Sequence, residues 1–345
     1  YMGMSHGGEM AFKIASEYAG IRAMVANEPA AHEFLRLRPD STARIMWWVN
    51  GSLAPLVLWA AFVFGWPALT VVAATITGAV VAEWGALKML RRRATVADGS
   101  AVCTGLLLAL TLPPLVPAWQ ALLGGVFSIL IGKMIFGGLG FNLFNPALVG
   151  RAFMMASFPL AMSTGWATPR PWFDAQLAAV TTATPLAMLK EHGLPAALRA
   201  IPGDTWAALA LGFRPGSIGE ISIVLVALGA AILVTRGIIR LTIPLSVIAG
   251  AGIATAFSGA PLLHLMSGGL WLGAFFMATD YVTSPTTRGG QIAFGLVIGA
   301  LTGVIRVFGG YPEGICYAIL IANALVPAFD MWFPVRRVRF AGAPS

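Results

Sequence analysis

Long apolar runs separated by short polar punctuation dominate the chain from residue 44 onward. The runs fall at 44–64, 67–87, 99–116, 118–136, 147–163, 220–236, 239–257, 261–279, 289–307 and 311–330. Most approach the length of about 20 residues that an α-helix needs to cross a bilayer. This pattern predicts an all-α polytopic membrane protein of about ten transmembrane helices, several of them broken by Gly or Pro. The segment 164–219 does not fit it. A stretch of that length between elements is functional or a small fold of its own, and Trp166, Trp172 and Trp206 suit short helices lying at a membrane interface. Five regions follow: an N-terminal segment 1–43, a first helical half 44–163, the loop 164–219, a second half 220–330 and a tail 331–345.

Composition agrees with this division. The 345 residues are 58% hydrophobic and 10% charged, with 40 Gly and a mean hydropathy of +0.80, far from soluble globular usage. A net charge of +8 would suggest nucleic acid in a soluble domain, but here the cations flank apolar runs, where they set topology, so a nucleic-acid role is excluded. Arg36, Arg38 and Arg44 precede the first run, Arg91, Arg92 and Arg93 follow the second, and Arg336, Arg337 and Arg339 follow the last. Both termini are therefore expected in the cytoplasm and 164–219 outside, which leaves only Arg170, Lys190, Arg199, Arg214 and Arg306 on the outer side. The pattern at 9–27 suits an amphipathic helix. No cleavable signal peptide is visible. Cys103 and Cys316 stand alone in separate apolar runs and read as packing residues.

The halves carry a short internal echo. Lys133-Met-Ile-Phe136-Gly137-Gly138 leaves the fourth run and Arg306-Val-Phe308-Gly309-Gly310 leaves the ninth. An odd number of spans per half requires opposite insertion, giving a 5+5 inverted repeat of the kind that places ligand sites on broken helices at the repeat interface.

Three segments could carry chemistry. In Val180-Thr181-Thr182-Ala183-Thr184-Pro185-Leu186-Ala187, Thr184 reads as an N-cap and Pro185 as the first helical residue. The free N–H groups there suit either an ordinary capped turn or a phosphate ester. Gly137, Gly138, Gly140, Asn142 and Asn145 form an irregular polar stretch at membrane depth, tolerated only where it is buried in protein or lines a cavity. Asn145-Pro146 should cap the fifth helix. Thr279, Asp280, Thr283 and Ser284 make either a solvated loop with Asp280 paired to Arg288 or a hydroxyl-rich pocket for a small cation or polar cofactor. Glu83 near Lys88, Glu220, and Glu313 near Arg306 read as interfacial or paired, and His264, at a helix start, as structural. No catalytic set and no metal cluster can be read from the sequence, so any redox chemistry needs an organic cofactor.

The stretches Phe136-Gly-Gly-Leu-Gly-Phe-Asn-Leu-Phe-Asn-Pro-Ala-Leu-Val-Gly-Arg-Ala-Phe153 and Met277-Ala-Thr-Asp-Tyr-Val-Thr-Ser-Pro-Thr-Thr287 closely resemble the family that contains RnfD and NqrB. The likeness runs from about residue 36 to 340. The compact N-terminal region and the Ala-Thr-Pro-Leu-Ala context at 183–187 favour the Rnf branch.

The resemblance implies a flavin-carrying subunit of an ion-translocating oxidoreductase in the bacterial inner membrane. In such complexes ferredoxin and NAD(H) react at cytoplasmic partner subunits, and the other membrane and peripheral subunits include a second covalent-FMN subunit and iron–sulfur subunits. It implies FMN on a threonine of the outer, periplasmic loop, attached at a pattern close to Asp-Gly-x-Ser/Thr-Gly-Ala-Thr. Thr181, Ala183 and Thr184 match that pattern. Thr182 replaces the Gly, and Ala178-Ala179 replace the Asp-Gly. The acceptor implied is Thr184, with Thr181 and Thr182 beside it. A second, non-covalent flavin, riboflavin, is implied, and its expected place is near Gly137–Asn145. The alternatives are an NqrB-like quinone-reducing subunit, or a channel or transporter with no redox cofactor on the same repeat.

Overall fold

The computed structural model describes residues 42–334, apart from 93–95, 168, 170–182, 200, 202–204, 221 and 311–312. Thr181, Thr182, the helix expected at 9–27 and the C-terminal tail beyond 334 lie outside the described residues.

Helix α1, Thr42–Phe64, begins inside the expected N-terminal segment, and α2, Trp66–Met89, follows after Gly65 alone. At φ 68°, ψ −147° this one-residue joint needs a glycine, while Pro67 opens α2 where a missing N–H costs nothing. Helix α3, Ser100–Thr111, stops short of the expected residue 116 because Pro113 and Pro114 cannot continue it. Helix α4, Ala118–Ile129, runs into a π-turn at Leu130–Met134. The fifth run divides into α5, Pro146–Ser157, and α6, Pro159–Thr164.

Three short helices occupy the long loop as expected: α7, Pro185–His192, α8, Leu194–Arg199, and α9, Thr205–Leu211. The second half holds α10, Ile223–Thr235, and α11, Thr242–Thr255. Its eighth run is broken: α12, Pro261–Met266, ends at Ser267–Gly269 before α13, Leu270–Leu272, which passes into a second π-turn at Gly273–Met277. Helix α14, Arg288–Phe308, is followed by α15, Ile315–Ala324, and α16, Val326–Trp332.

Among the described residues, α1, α2 and α14 are each long and apolar enough to cross a membrane unaided. The pair α15 and α16, bent by 56°, makes a fourth if taken as one span. Helices α3, α4 with its π-turn, α10 and α11 are shorter apolar helices.

The most extensive helix pairs are α2 with α4 and α11 with α14, the second and fourth members of each half. Both depend on glycine at the crossing. A Cβ on Gly125 would stand 2.3 Å from the Thr75 carbonyl oxygen, and one on Gly299 would stand 2.1 Å from that of Val247. Such backbone approach is how helices associate where lipid removes any hydrophobic drive. The basic residue of each Phe-Gly-Gly echo also behaves alike. Lys133 and Arg306 are both buried, and each reaches the third member of its own half, Lys133 to Ser100 of α3 and Arg306 to the carbonyls of His264 and Ser267 at the end of α12.

Bonds between segments mark the two ends of the bundle. One end joins Asn50 to Gly99, Arg92 to Gly137 and Tyr281 to Ile238. The other joins Ile218 to Leu112, Leu115 to Gly165 and Lys190 to Gly309. The core around Leu53, Leu56, Leu108, Phe294 and Ile298 runs between these ends, while Leu58, Phe257, Phe308 and Met331 are exposed as a lipid-facing surface would be.

Candidate functional site

After the π-turn the chain reverses through Gly137, Gly138 and Gly140, whose φ values of 116°, 108° and 90° a side-chain-bearing residue adopts only with strain. The reversal delivers Asn142 and Asn145 into the interior, 3% and 4% exposed. Asn145 caps α5 as expected, its Oδ1 accepting from the N–H groups of Ala147 and Leu148 at 3.1 and 3.4 Å. Its Nδ2 donates to the Met277 carbonyl at 3.3 Å, and its own N–H donates to Oδ1 of Asn323 at 3.3 Å. Asn323, on α15, donates in turn to the Thr283 carbonyl at 2.8 Å. The two irregular polar segments, far apart in sequence, are thus joined through one asparagine that sequence reasoning missed. A lone Asn in an apolar run carries no spacing signal.

A cavity of about 100 Å3 opens beside this junction. Its wall includes Asn142, Asn145, Thr279, Asp280, Cys103 and Lys133. Gly137, Gly138, Gly140, Thr283 and Ser284 are not part of that wall. Thr279 donates its hydroxyl to the Phe275 carbonyl at 2.7 Å. Asp280 does not pair with Arg288. Its carboxylate accepts from the N–H of Val282 and the hydroxyl of Thr283, both at 3.3 Å, because the turn after the π-helix folds it back on its own segment. Ser284 is half-buried.

Lys133 was not among the expected site residues. The π-turn rotates it inward, to 2% exposure, where its ammonium donates to Glu83 Oε2 at 2.7 Å and to Ser100 Oγ at 2.6 Å. Ser100 in turn donates its hydroxyl to Asp98 Oδ1 at 2.5 Å. Glu83 is therefore paired across helices, not with Lys88, which lies over the Trp84 ring. An unpaired charge at this depth would be costly.

On the opposite end, Thr184 is the N-cap of α7, with φ −69° and ψ 153°, and Pro185 is the first helical residue. The Thr184 Oγ1 accepts from the Ala187 N–H at 3.3 Å. The side chain is buried, whereas Ala183 next to it is exposed. Leu186 is buried against Gly268 in the break between α12 and α13.

Beneath this loop lie charges that the sequence placed differently. Glu313 pairs with Arg151 and not with Arg306. Arg214 and Arg306 are 1% and 4% exposed and donate to interior carbonyls, Arg214 to Glu220 and Arg306 to His264 and Ser267. His264 belongs to the last turn of α12, not a helix start, and its carbonyl accepts from Arg306. Cys103 and Cys316 are buried free thiols.

Comparison with known proteins bears on the family of the chain. The sequence model of the NQR2, RnfD, RnfE family matches residues 31–339. The D subunit of the proton-translocating ferredoxin:NAD(+) oxidoreductase complex of Clostridium ljungdahlii is 45% identical, over 84% of this chain and 90% of that protein. The D subunit of the Na(+)-translocating ferredoxin:NAD(+) oxidoreductase complex of Acetobacterium woodii is 44% identical, over 84% of this chain and 88% of its own length. The D subunit of the ion-translocating oxidoreductase complex of Stutzerimonas stutzeri is 40% identical, over 84% of this chain and 90% of its own. With nearly the whole chain matched by the family and by these relatives, this protein belongs to the NQR2, RnfD, RnfE family.

Proposed function

We propose that this chain is the D-type membrane subunit of an ion-translocating ferredoxin:NAD+ oxidoreductase complex of a bacterial inner membrane. It would carry covalent FMN on Thr184 and pass electrons in a flow coupled to Na+ or H+ movement. The relatives named above, matched along nearly their full length, support the complex and its chemistry. The observation that carries the flavin site is the N-cap at Thr184. Its hydroxyl oxygen accepts a hydrogen bond from the Ala187 N–H, an acceptor role that an ester oxygen at the same place would keep. The residues present fit a phosphodiester. The first N–H groups of α7 face an esterified oxygen, and the helix dipole favours negative charge there. The side chain is buried here, so attachment requires the loop to expose Thr184.

The cavity beside Asn142 and Asn145 is the proposed place of a second flavin, riboflavin. Amide groups and backbone carbonyls supply donors and acceptors there, and Phe275, Phe276 and Tyr281 supply aromatic wall. A bound flavin would supply one- and two-electron transfer at each place. The chain's own groups hold it, exclude water and fix its distance from the partners. We place both termini in the cytoplasm, the loop 164–219 in the periplasm and the helices in a 5+5 inverted repeat, a reading supported by the recurrent α2–α4 and α11–α14 pairing.

The test is a mass spectrum of the peptide containing Thr184, with in-gel flavin fluorescence of the denatured protein. FMN mass on the wild-type peptide and none on Thr184→Val, with Thr181→Val and Thr182→Val still labelled, is expected. FMN retained on the Thr184→Val peptide overturns the assignment.

A further inference from the structure

Arg306 brings its charge inside the protein without an ion-pair partner among the described residues. It lies in the last turn of α14, 4% exposed, and its two terminal nitrogens donate to the neutral carbonyls of His264 and Ser267. Glu313, the acid nearest in sequence, is taken by Arg151. Carbonyls satisfy donors without cancelling charge, and a buried charge left uncancelled is costly. Three buried polar atoms at this place also lack a hydrogen-bond partner: Nε of Arg306, Oγ of Ser267 and Nδ1 of His264, on residues 4%, 1% and 5% exposed. Orphaned groups at such depth call for a bonded occupant.

The surrounding charges do not balance. Arg151 pairs with Glu313, Arg214 donates to the Glu220 backbone carbonyl at 2.8 Å, and Glu220 Oε2 would stand 3.3 Å from a Cβ on Gly269. Three buried arginines thus face two buried carboxylates among the described residues, and one positive charge is left over. Helix α7 is laid across this excess. A Cβ on Gly268 would stand 2.6 Å from Arg306 Nη2 and 2.9 Å from Leu186 Cδ1, so the guanidinium and Leu186 meet at that glycine. One turn further along α7, Lys190 donates to the Gly309 carbonyl just beyond α14. Leu186 is the second residue of the helix that Thr184 caps, in the turn whose free N–H groups and dipole favour an anion.

We propose that Arg306 and the Ser267 hydroxyl form the phosphate subsite for the phosphodiester on Thr184, with Arg306 as its countercharge. This rests on the reading of Thr184 as the flavin-bearing residue. A phosphodiester carries one negative charge, which matches the one positive charge left over. Ser267 supplies a hydroxyl donor, and Arg306 supplies the Nε–H that the carbonyls leave unused. The ester is tethered two residues from Leu186, so its effective concentration at the subsite exceeds that of a free anion. The charge on the linker then holds α7 against the end of α14 and the α12–α13 break.

Limited proteolysis of the purified complex, with cleavage after Lys190 and Arg199 followed by mass spectrometry, tests this. Thr184→Asn keeps an N-cap acceptor but cannot carry the ester, and serves as the flavin-free reference. Where opening is fast relative to cleavage, the rate follows the open population, and a charge-assisted hydrogen bond changes that population by about tenfold or more. The wild type should therefore be cut more slowly than Thr184→Asn by that factor. Arg306→Gln should abolish the difference, and Arg306→Lys should keep part of it. Ser267→Ala retains the carbonyl that Arg306 uses, so it decides the matter even if Arg306→Gln does not assemble. It should speed cleavage of the flavinylated complex and leave the Thr184→Asn complex unchanged, because there its hydroxyl has no partner. Equal factors in both backgrounds, with FMN still on Thr184, would make these residues structural and overturn the proposal. A wild-type peptide without FMN overturns the flavin reading itself, and the subsite with it. Inorganic phosphate that protects the Thr184→Asn complex as strongly as the ester protects the wild type assigns the site to a free anion and overturns the tethered occupant.

Discussion

The backbone N–H of Asn145 donates to the side-chain oxygen of Asn323, 178 residues further along the chain, at 3.3 Å. Through that bond the cap of α5, the π-turn carbonyl of Met277 and the turn at Thr283 become one unit. The contact is buried on both sides, so a lost partner leaves a desolvated polar group.

Replacing Asn323 by Leu should therefore strand both the Asn145 N–H and the Thr283 carbonyl. Each orphaned group costs about 1–3 kcal/mol. The thermal unfolding temperature of the detergent-solubilised protein should fall, and any non-covalent flavin should be lost before covalent flavin is. An unchanged transition temperature with full non-covalent flavin would refute the role given to this residue.

The Lys133–Glu83 pair allows a cleaner thermodynamic test. Glu83→Leu alone leaves a buried ammonium and should cost about 3–5 kcal/mol, whereas the double variant Glu83→Leu with Lys133→Met removes both charges and should recover most of that loss. A double-mutant cycle on the solubilised protein measures the coupling. Additive losses would show that the two side chains do not act as a pair.

Gly140→Leu asks whether the left-handed turn matters. At φ 90° a branched side chain adds strain of about 1–3 kcal/mol, enough to shift Asn142 and Asn145 out of register without unfolding the bundle. If the proposed flavins are present, riboflavin content should drop while Thr184-linked flavin stays quantitative. Asp280→Asn, which keeps volume and removes charge, should lower ion-coupled turnover in vesicles and leave both flavins bound. Normal turnover and normal coupling in both variants would make these segments purely structural.

Sidedness can be read directly. Lys190 and Arg92 are both exposed, the first on α7 of the long loop and the second just after α2. A cysteine at 190 should react with a membrane-impermeant thiol reagent from outside the cell, and one at 92 only after permeabilisation. The reverse labelling would invert the topology and move the Thr184 loop to the cytoplasm.

Apolar run length, Pro and Gly positions and flanking cations were enough to read an all-helical membrane protein, its broken helices, and the caps at Thr184 and Asn145, because each follows from a few adjacent residues. The Asn142–Asn145 stretch was legible as unusual for the same reason, since polar groups at membrane depth are costly wherever they occur. Tertiary structure alone chose the partners. Glu83 has Lys88 five residues along the same helix yet pairs with Lys133 of another, since a π-turn swings Lys133 inward. Glu313 takes Arg151 and not Arg306, nearer in sequence, while Arg306 donates to the His264 and Ser267 carbonyls at the break after α12. Sequence spacing fixes which face of a helix a residue occupies. It carries no information about which distant carbonyl or carboxylate the packed helices will bring to that face.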